Sequence, residues 1–305
     1  MPHAGELLAE RHRAHRRAEP LLPERYEAPA AAAEQVGALA QGDGASGVVG
    51  LRGSRVVGFL VGTRKSDERW GPNIWVEAAG HATEAPEDVR DLYGAAAARW
   101  VEEERVRHYA LVPASERPLV EAWSRLSFGV QHAFGIRELE ATAWPDGVRL
   151  AEERDVDELV GLTPLLVEHQ ALSPVFGIGV PRETAEEIRA DIVADLPKSE
   201  IGDLVAESDG RLVGAFQVVP VEMSSVHAGL AAPEGAALLG WAATRPDVRG
   251  SGTGLALTRA SFAWAWEQGY TTMVTDWRVT NLLASRFWPA RGFRESFLRL
   301  YRHIP

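Results

Sequence analysis

Apolar positions along the chain alternate between helical and extended spacing. Residues 3–18 and 28–41 are rich in Ala, Glu and Arg and read as helices, the second ended by Gly42-Asp43-Gly44. Short apolar runs at 47–51 and 55–62 flank Arg52-Gly53-Ser54, which predicts a hairpin, and 73–79 reads as a third strand. Pro86-Glu87-Asp88 opens a helix to about Arg105 that carries Leu92, Ala96 and Trp100 on one face. A strand at 108–112, a helix at 118–126, and one bent strand or a strand pair at 130–139 follow.

The same order then returns. Hairpin strands at 203–207 and 211–219 meet across Ser208-Asp209-Gly210, and the segment 210–215 (GRLVGA) matches 54–59 (SRVVGF). Trp123…Phe128 matches Trp288…Phe293, and Arg137 and Arg302 each lie nine residues beyond that Phe. The offset is 156 early and 165 late, the difference falling at an extra loop around 222–235. Two copies of one α/β unit account for this. Trp144-Pro145-Asp146-Gly147 reads as a linker turn, so the domains are expected at 1–143 and 144–305.

The chemistry concentrates at 238–254, LLGWAATRPDVRGSGTG. An apolar strand stops at Pro246-Asp247; Arg249-Gly250-Ser251-Gly252-Thr253-Gly254 follows, and a helical run from Leu255 to Gln268 comes directly after. Strand, glycine-rich turn and helix in this order present unpaired N–H groups and a helix dipole to an anion. The glycines let the backbone approach closely. The order is neither the dinucleotide G-x-G-x-x-G nor a P-loop, which needs Gly-Lys-Ser/Thr. In the first half the equivalent stretch, residues 80–88, has one glycine, no Arg and three carboxylates, a poor place for a diphosphate.

R-x-x-G-x-G after such a strand resembles the acyl-CoA loop of the GNAT acyltransferase superfamily. Asn281-Leu-Leu-Ala284-Ser-Arg-Phe287-Trp288-Pro-Ala-Arg-Gly292-Phe293 resembles that family's N-x-x-A-x-x-F-Y-x-x-x-G-F block. The resemblance covers about Val148 to the C-terminus. It implies α/β architecture with two tandem GNAT-like domains, each a twisted mixed sheet flanked by helices, the first without its cofactor loop. It implies acetyl-CoA-dependent N-acetyl transfer to a small-molecule amine by direct attack, without an enzyme nucleophile. The loop residues Arg249 to Gly254, backbone groups of Ala242, Ala243 and Thr244, and Asn281, Ser285 and Phe287 would hold acetyl-CoA. Trp288 stands where many members have a proton-donating Tyr, with Tyr270 and Tyr301 as alternative donors. Tandem architecture with one working half also resembles mycothiol synthase. A CoA-binding sensor or scaffold without turnover, and a protein-lysine acetyltransferase, remain as further readings.

The general base is not marked. No ionisable side chain lies between Ala236 and Ala243, which leaves Glu234, Asp276, Glu222 and His227 as candidates. Glu168 and His169 belong to a segment, 167–179, expected to cover the acceptor. Each such group taken singly is more often a solvated charge. Trp264 and Trp266, two apart, cannot share a helix face, so most of the tryptophans read as core.

Bulk properties narrow the field. The chain has 305 residues, 46% apolar, enough for two packed cores. The absence of cysteine excludes disulfides and thiol nucleophiles, and the nine histidines form no ligand spacing, so no metal is expected. A net charge of −11 argues against nucleic acid and mildly favours an amine-bearing partner. The N-terminus lacks an apolar signal region and no run is long enough to span a membrane, which points to a cytoplasmic protein; a homodimer is compatible with the sequence.

Overall fold

The computed structural model describes residues 2–177 and 183–305. The first half runs α1 (Pro2–Ala18), α2 (Pro29–Ala40), β1 (Ser46–Arg52), β2 (Arg55–Gly62), α3 (Asp67–Trp70), β3 (Asn73–Val76), β4 (His81–Thr83), α4 (Asp88–Glu102), β5 (Arg107–Pro113), α5 (Arg117–Ser124) and β6 (Gly129–Glu138). The second runs β7 (Val148–Leu150), α6 (Val156–Leu162), α7 (Pro164–Ala171), α8 (Ala185–Asp195), β8 (Gly202–Ser208), β9 (Arg211–Pro220), β10 (Ala237–Thr244), α9 (Thr253–Glu267), β11 (Thr272–Arg278), α10 (Leu282–Phe287) and β12 (Arg294–His303).

Both halves are mixed α/β units, as the element order predicts. Their sheets are not separate. Nine strands form one sheet in the order β3-β5-β12-β6-β11-β10-β9-β8-β7, with β1-β2-β4 as a three-stranded sheet beside it. The last strand of each half lies between strands of the other: β6 pairs with β11 from Thr272↔Glu138 to Arg278↔His132, and β12 pairs with β5 from Phe297↔Pro113 to His303↔Arg107. The two exchanged strands also pair with each other. The stretch at 129–138 is thus a single strand.

Burial patterns explain the layers. The apolar stripe of α1 and α2, with Leu8 and Val36, packs with Tyr26 on a sheet face that presents Phe134, Ile136, Val274 and Phe297. The opposite face, with Leu204, Phe216, Val218 and Trp277, is covered by α9 through Leu257 and Trp264. Trp264 is 3% exposed and Trp266 is 40% exposed, as their two-residue spacing requires. Gly202 makes the close approach of α9 feasible, since a Cβ there would lie 2.7 Å from the Trp264 ring. In the first half α4 and α5 bury Trp100, Trp123 and Leu92.

Each half opens a gap between two parallel strands. In the second, β10 pairs with β11 only at Ala237↔Met273 and Leu238↔Val274, after which a bulge at Gly240 turns β10 away. In the first, β3 follows β5 only from Asn73↔Arg107 to Val76↔Ala110, and the chain then moves to β4 beside β2. That gap is filled. The Arg11 guanidinium, from α1, donates to the carbonyl oxygens of Ala78 and His81. The His81 ring nitrogen Nε2 donates to the Leu111 carbonyl oxygen at 3.1 Å. Burial, then the Arg11 charge, pushes His81 down to about 3, so its imidazole is neutral.

Candidate active site

The gap of the second half is open and forms a cleft of about 480 Å³. It begins at the turn before α9. Gly250 and Gly252 adopt φ of 87° and 96°, and a Cβ on either would meet nothing within 4 Å. The turn therefore has room around it, and its left-handed backbone is the reason for the glycines. Gly252 occupies the N-cap position of α9, so the first N–H groups of a 15-residue helix face the cleft entrance unpaired. Arg249 and Arg291 line the cleft, and neither forms an ion pair among the described residues. The Arg291 guanidinium lies 4.2 Å from the centre of the Phe287 ring.

The cleft then follows the parting of the strands. Beyond Leu238↔Val274 no ladder joins β10 to β11, so alternate peptide groups from Gly240 to Thr244 face the cleft instead of a strand. The Thr275 hydroxyl donates to the Leu239 carbonyl oxygen at 2.9 Å and holds the apex of the fork. On the far wall the Asn281 side-chain oxygen caps α10, accepting from the N–H groups of Leu283 at 3.2 Å and Ala284 at 3.3 Å. The His169 Nε2 lies 3.3 Å from the same oxygen, which has only lone pairs to offer, so His169 donates.

Trp288 closes the wall. Its ring is 6% exposed, packs at 4.9 Å on Phe287, 5.7 Å on Phe293 and 6.1 Å on Phe216, and its N–H makes no hydrogen bond among the described residues. The packing of Trp123 on Phe128 at 4.9 Å repeats this arrangement in the first half.

At the inner end stands Asp276, on β11, with 30% of its side chain exposed. His227 Nε2 lies 3.4 Å from Asp276 Oδ1, and His132 Nε2, from the first half, lies 3.8 Å from Oδ2. The Arg299 guanidinium, from β12, donates to His132 Nδ1. Burial works against the Asp276 charge. The His227 hydrogen bond and the surrounding positive charge, including Arg299, outweigh it and hold the carboxyl well below the usual carboxylate range. Burial, reinforced by Arg299, pushes His132 well below its ordinary value, so it stays neutral. Arg299 is lowered to about 10 by burial and remains a cation at neutral pH.

The structure thus brings most of the residues singled out in the sequence to one cleft. Ala242, Ala243, Thr244, Arg249, Gly250, Gly252 and Gly254 line it along β10 and the turn; His169, Asp276, Asn281, Phe287 and Trp288 line it elsewhere. Ser251, Thr253, Ser285 and Glu168 are not among the lining residues. The Ser251 and Thr253 hydroxyls bond each other at 2.9 Å. Glu222 accepts from the Gly235 N–H at 3.4 Å, and Glu234 pairs with Arg25 at 3.3 Å; neither lines the cleft. Tyr270 stacks on Trp264 and Tyr301 packs on Tyr109, both also outside the lining. Gly240, Arg278, Arg291 and Leu165 are lining residues given no role from the sequence, whereas Gln170, like His169, belongs to the segment 167–179 expected to cover the acceptor, of which residues 178 and 179 lie outside the described residues. Gly240 carried a signal, since an isolated glycine inside a strand suggests a bulge.

Residues 165–293 match the model of the Acetyltransferase (GNAT) family. The chain carries a GNAT domain. The GCN5-related N-acetyltransferase from Sphaerobacter thermophilus shares the fold over 90% of this chain and 85% of its own, with a TM-score of 0.57 at 13% identity. The GCN5-related N-acetyltransferase from Kribbella flavida aligns over 90% and 94%, with a TM-score of 0.47 at 16% identity. A tandem GNAT protein from the clavulanic acid biosynthesis pathway aligns over 88% and 87%, with a TM-score of 0.46 at 15% identity. No curated protein matches the chain. The family match begins inside α7 and ends at Phe293, so it takes in the turn, the fork and the Trp288 wall of the GNAT domain, but not the strands exchanged between the halves.

No helix among the described residues is long and apolar enough to cross a membrane, and no group of His, Asp and Glu among them is arranged to hold a metal ion.

Proposed function

We propose that the chain is an acetyl-CoA-dependent N-acetyltransferase that acts on a small-molecule amine by direct transfer, with one working site, in the second half. The observation that carries this reading is the unbroken cleft from the positive-φ glycine turn, through the β10/β11 fork, to Asp276. Acetyl-CoA would supply the acyl group as a thioester, the amine displacing the thiolate.

The residues fit that co-substrate. The open turn, the unpaired N–H groups of α9 and the two arginines, Arg249 and Arg291, suit a diphosphate. The narrow fork with unpaired peptide groups along β10 suits an extended amide-bearing arm, and an N–H near Ala242–Thr244 suits a thioester oxygen that gains charge during attack. Ser251, Thr253 and Ser285 stand beside this path as outer contacts.

Asp276 is assigned to attract and orient the incoming ammonium. A carboxylate held this acidic is a weak base, so Asp276 holds the ammonium while His227 orients the carboxylate from Oδ1, and the amine's proton leaves to water through the open cleft. Trp288 is assigned to the departing sulfur, as a hydrogen-bond donor from its unpaired N–H; an indole cannot give up that proton, and a thiolate with an ordinary pKa of about 8.5 leaves without a strong acid. Of the candidate carboxylates, Asp276 alone lines the cleft, and His227, outside the lining, is buried against its Oδ1, which favours Asp276 over Glu168, Glu222 and Glu234.

The test is thioester consumption and free-thiol release with acetyl-CoA and a library of amines, run beside calorimetry for CoA. Binding of one CoA with amine-dependent thiol release is expected. Absence of CoA binding would overturn the reading, and CoA binding without turnover by any amine would favour a sensor.

A further inference from the structure

Among the described residues, the side chains at and directly behind the inner end of the cleft carry more positive than negative charge, in a chain that is acidic overall. Arg278 ends β11 two residues beyond Asp276, so both side chains leave the same face of the strand. The register Arg278↔His132 and His132↔Arg299 places the second arginine on the same face two strands away. Neither arginine forms an ion pair among the described residues. Asp276 is the single carboxylate among the cleft-lining residues. His132 is neutral, and the nearby Glu77 is matched by Lys65 at 2.6 Å. Arg299 lies behind the lining and offsets Asp276, which leaves Arg278, on the lining, as a cation without an ion pair among the described residues.

Arg278 is also held in place. Its Nε donates to Gln170 Oε1 at 3.1 Å, from the helix that roofs the cleft, and its two terminal nitrogens make no hydrogen bond among the described residues. A guanidinium fixed by Nε with both Nη groups free is prepared for a planar anion, which it meets with two parallel N–H···O bonds.

We infer that the acceptor is an amino acid or a close relative: an amine carrying a carboxylate, its nitrogen at Asp276 and its carboxylate at Arg278. This rests on the transferase reading above and narrows its substrate class. Side chains two apart on one strand face rise roughly 6.5–7 Å from each other, a span that an α- or β-amino acid bridges once each group makes its own contact. Acidic composition alone favours an amine-bearing partner; the local balance of charge at the site adds a carboxylate to that amine.

The experiment compares amino acids with their decarboxylated counterparts: alanine with ethylamine, phenylalanine with phenethylamine, tryptophan with tryptamine. Each pair is assayed on the full-length protein and on Arg278→Gln and Arg278→Lys, with CoA affinity measured on all three proteins. At least one amino acid is expected to exceed its amine in kcat/KM by about ten-fold or more, the scale of a charge-assisted hydrogen bond. The preference should fall to within about two-fold in Arg278→Gln and recover in part in Arg278→Lys, with CoA affinity little changed. Amines that match or exceed their amino acids in every pair, or a preference that survives in Arg278→Gln, overturn this assignment and leave the transferase reading standing. Loss of CoA binding in the unmodified protein overturns both.

Discussion

The guanidinium of Arg137, in the first half, lies 4.0 Å from the centre of the Phe262 ring on α9 of the second. Its counterpart Arg302, in the second half, lies 5.8 Å from the Tyr93 ring on α4 of the first. The two contacts are reciprocal, with the rings about one helical turn apart along corresponding helices, and they follow from the exchange of β6 and β12. Removing residues 1–143 would take β6 away from between β11 and β12 and leave two apolar strand edges open. The fragment 144–305 is expected to aggregate or to pair with itself. Light scattering after size exclusion checks this; a stable monomer that binds CoA with full-length affinity would refute it.

Only one CoA is expected per chain, because Arg11 and His81 occupy the gap of the first half. Gly252→Asp should abolish binding. At φ 96° a Cβ is strained by about 1–2 kcal/mol, and the carboxylate would face the bound diphosphate at the start of α9. Titration calorimetry reads both stoichiometry and affinity. Two sites per chain, or undiminished binding in the variant, would refute the assignment.

Trp288→Phe keeps most of the ring volume and removes the N–H. A ten-fold or greater fall in kcat, about 1.4 kcal/mol, is expected with acetyl-CoA affinity retained. An unchanged kcat with chemistry shown to limit turnover would leave Trp288 as a wall of the pocket.

The Asp276–His227 pair is expected to act as a unit. Asp276→Asn and His227→Asn should each lower kcat/KM by about 10²-fold, and the double variant should lose little more than the worse single one. Because Asp276 is held well below the usual range, it stays ionised throughout the neutral region and should contribute no acid limb near pH 4 to 5. Fully additive losses would argue that the two groups act separately.

Away from the cleft, burial raises Asp203 to about 6, offset in part by a hydrogen bond from Gln217 at 3.1 Å. Its unfolded value is near 3.9, so between about pH 4 and 6 the folded state binds more protons, and stability falls as pH rises through that window. Above pH 6 the charged form costs at most about 3 kcal/mol. Asp203→Asn should therefore raise the unfolding midpoint at pH 7.5 and leave it nearly unchanged at pH 4. Denaturant titration at the two pH values checks it; an equal effect at both would refute the cause.

What the sequence determined is what short-range physics controls. The turn at Arg249–Gly254 was legible because positive φ needs glycine, and a helix start follows within a few residues. The strands and helices of both halves, and their repetition, were legible because apolar spacing within one element decides which face is buried. Asn281 and Trp288 were legible as parts of one contiguous block. The tertiary structure alone decided which strand pairs with which. β6 and β12 follow the same Trp-to-Phe step in equivalent places, so their patterns cannot say whether each closes its own half or the other. That choice rests on burial summed over the whole sheet. The inner end of the cleft depends on it: Asp276, His132, His227 and Arg299 come from four distant segments, and only the exchange of strands sets His132 beside Asp276. The filled first gap is of the same kind, since nothing near Arg11 in the chain announces that it will lie between Ala78 and His81, some 70 residues away.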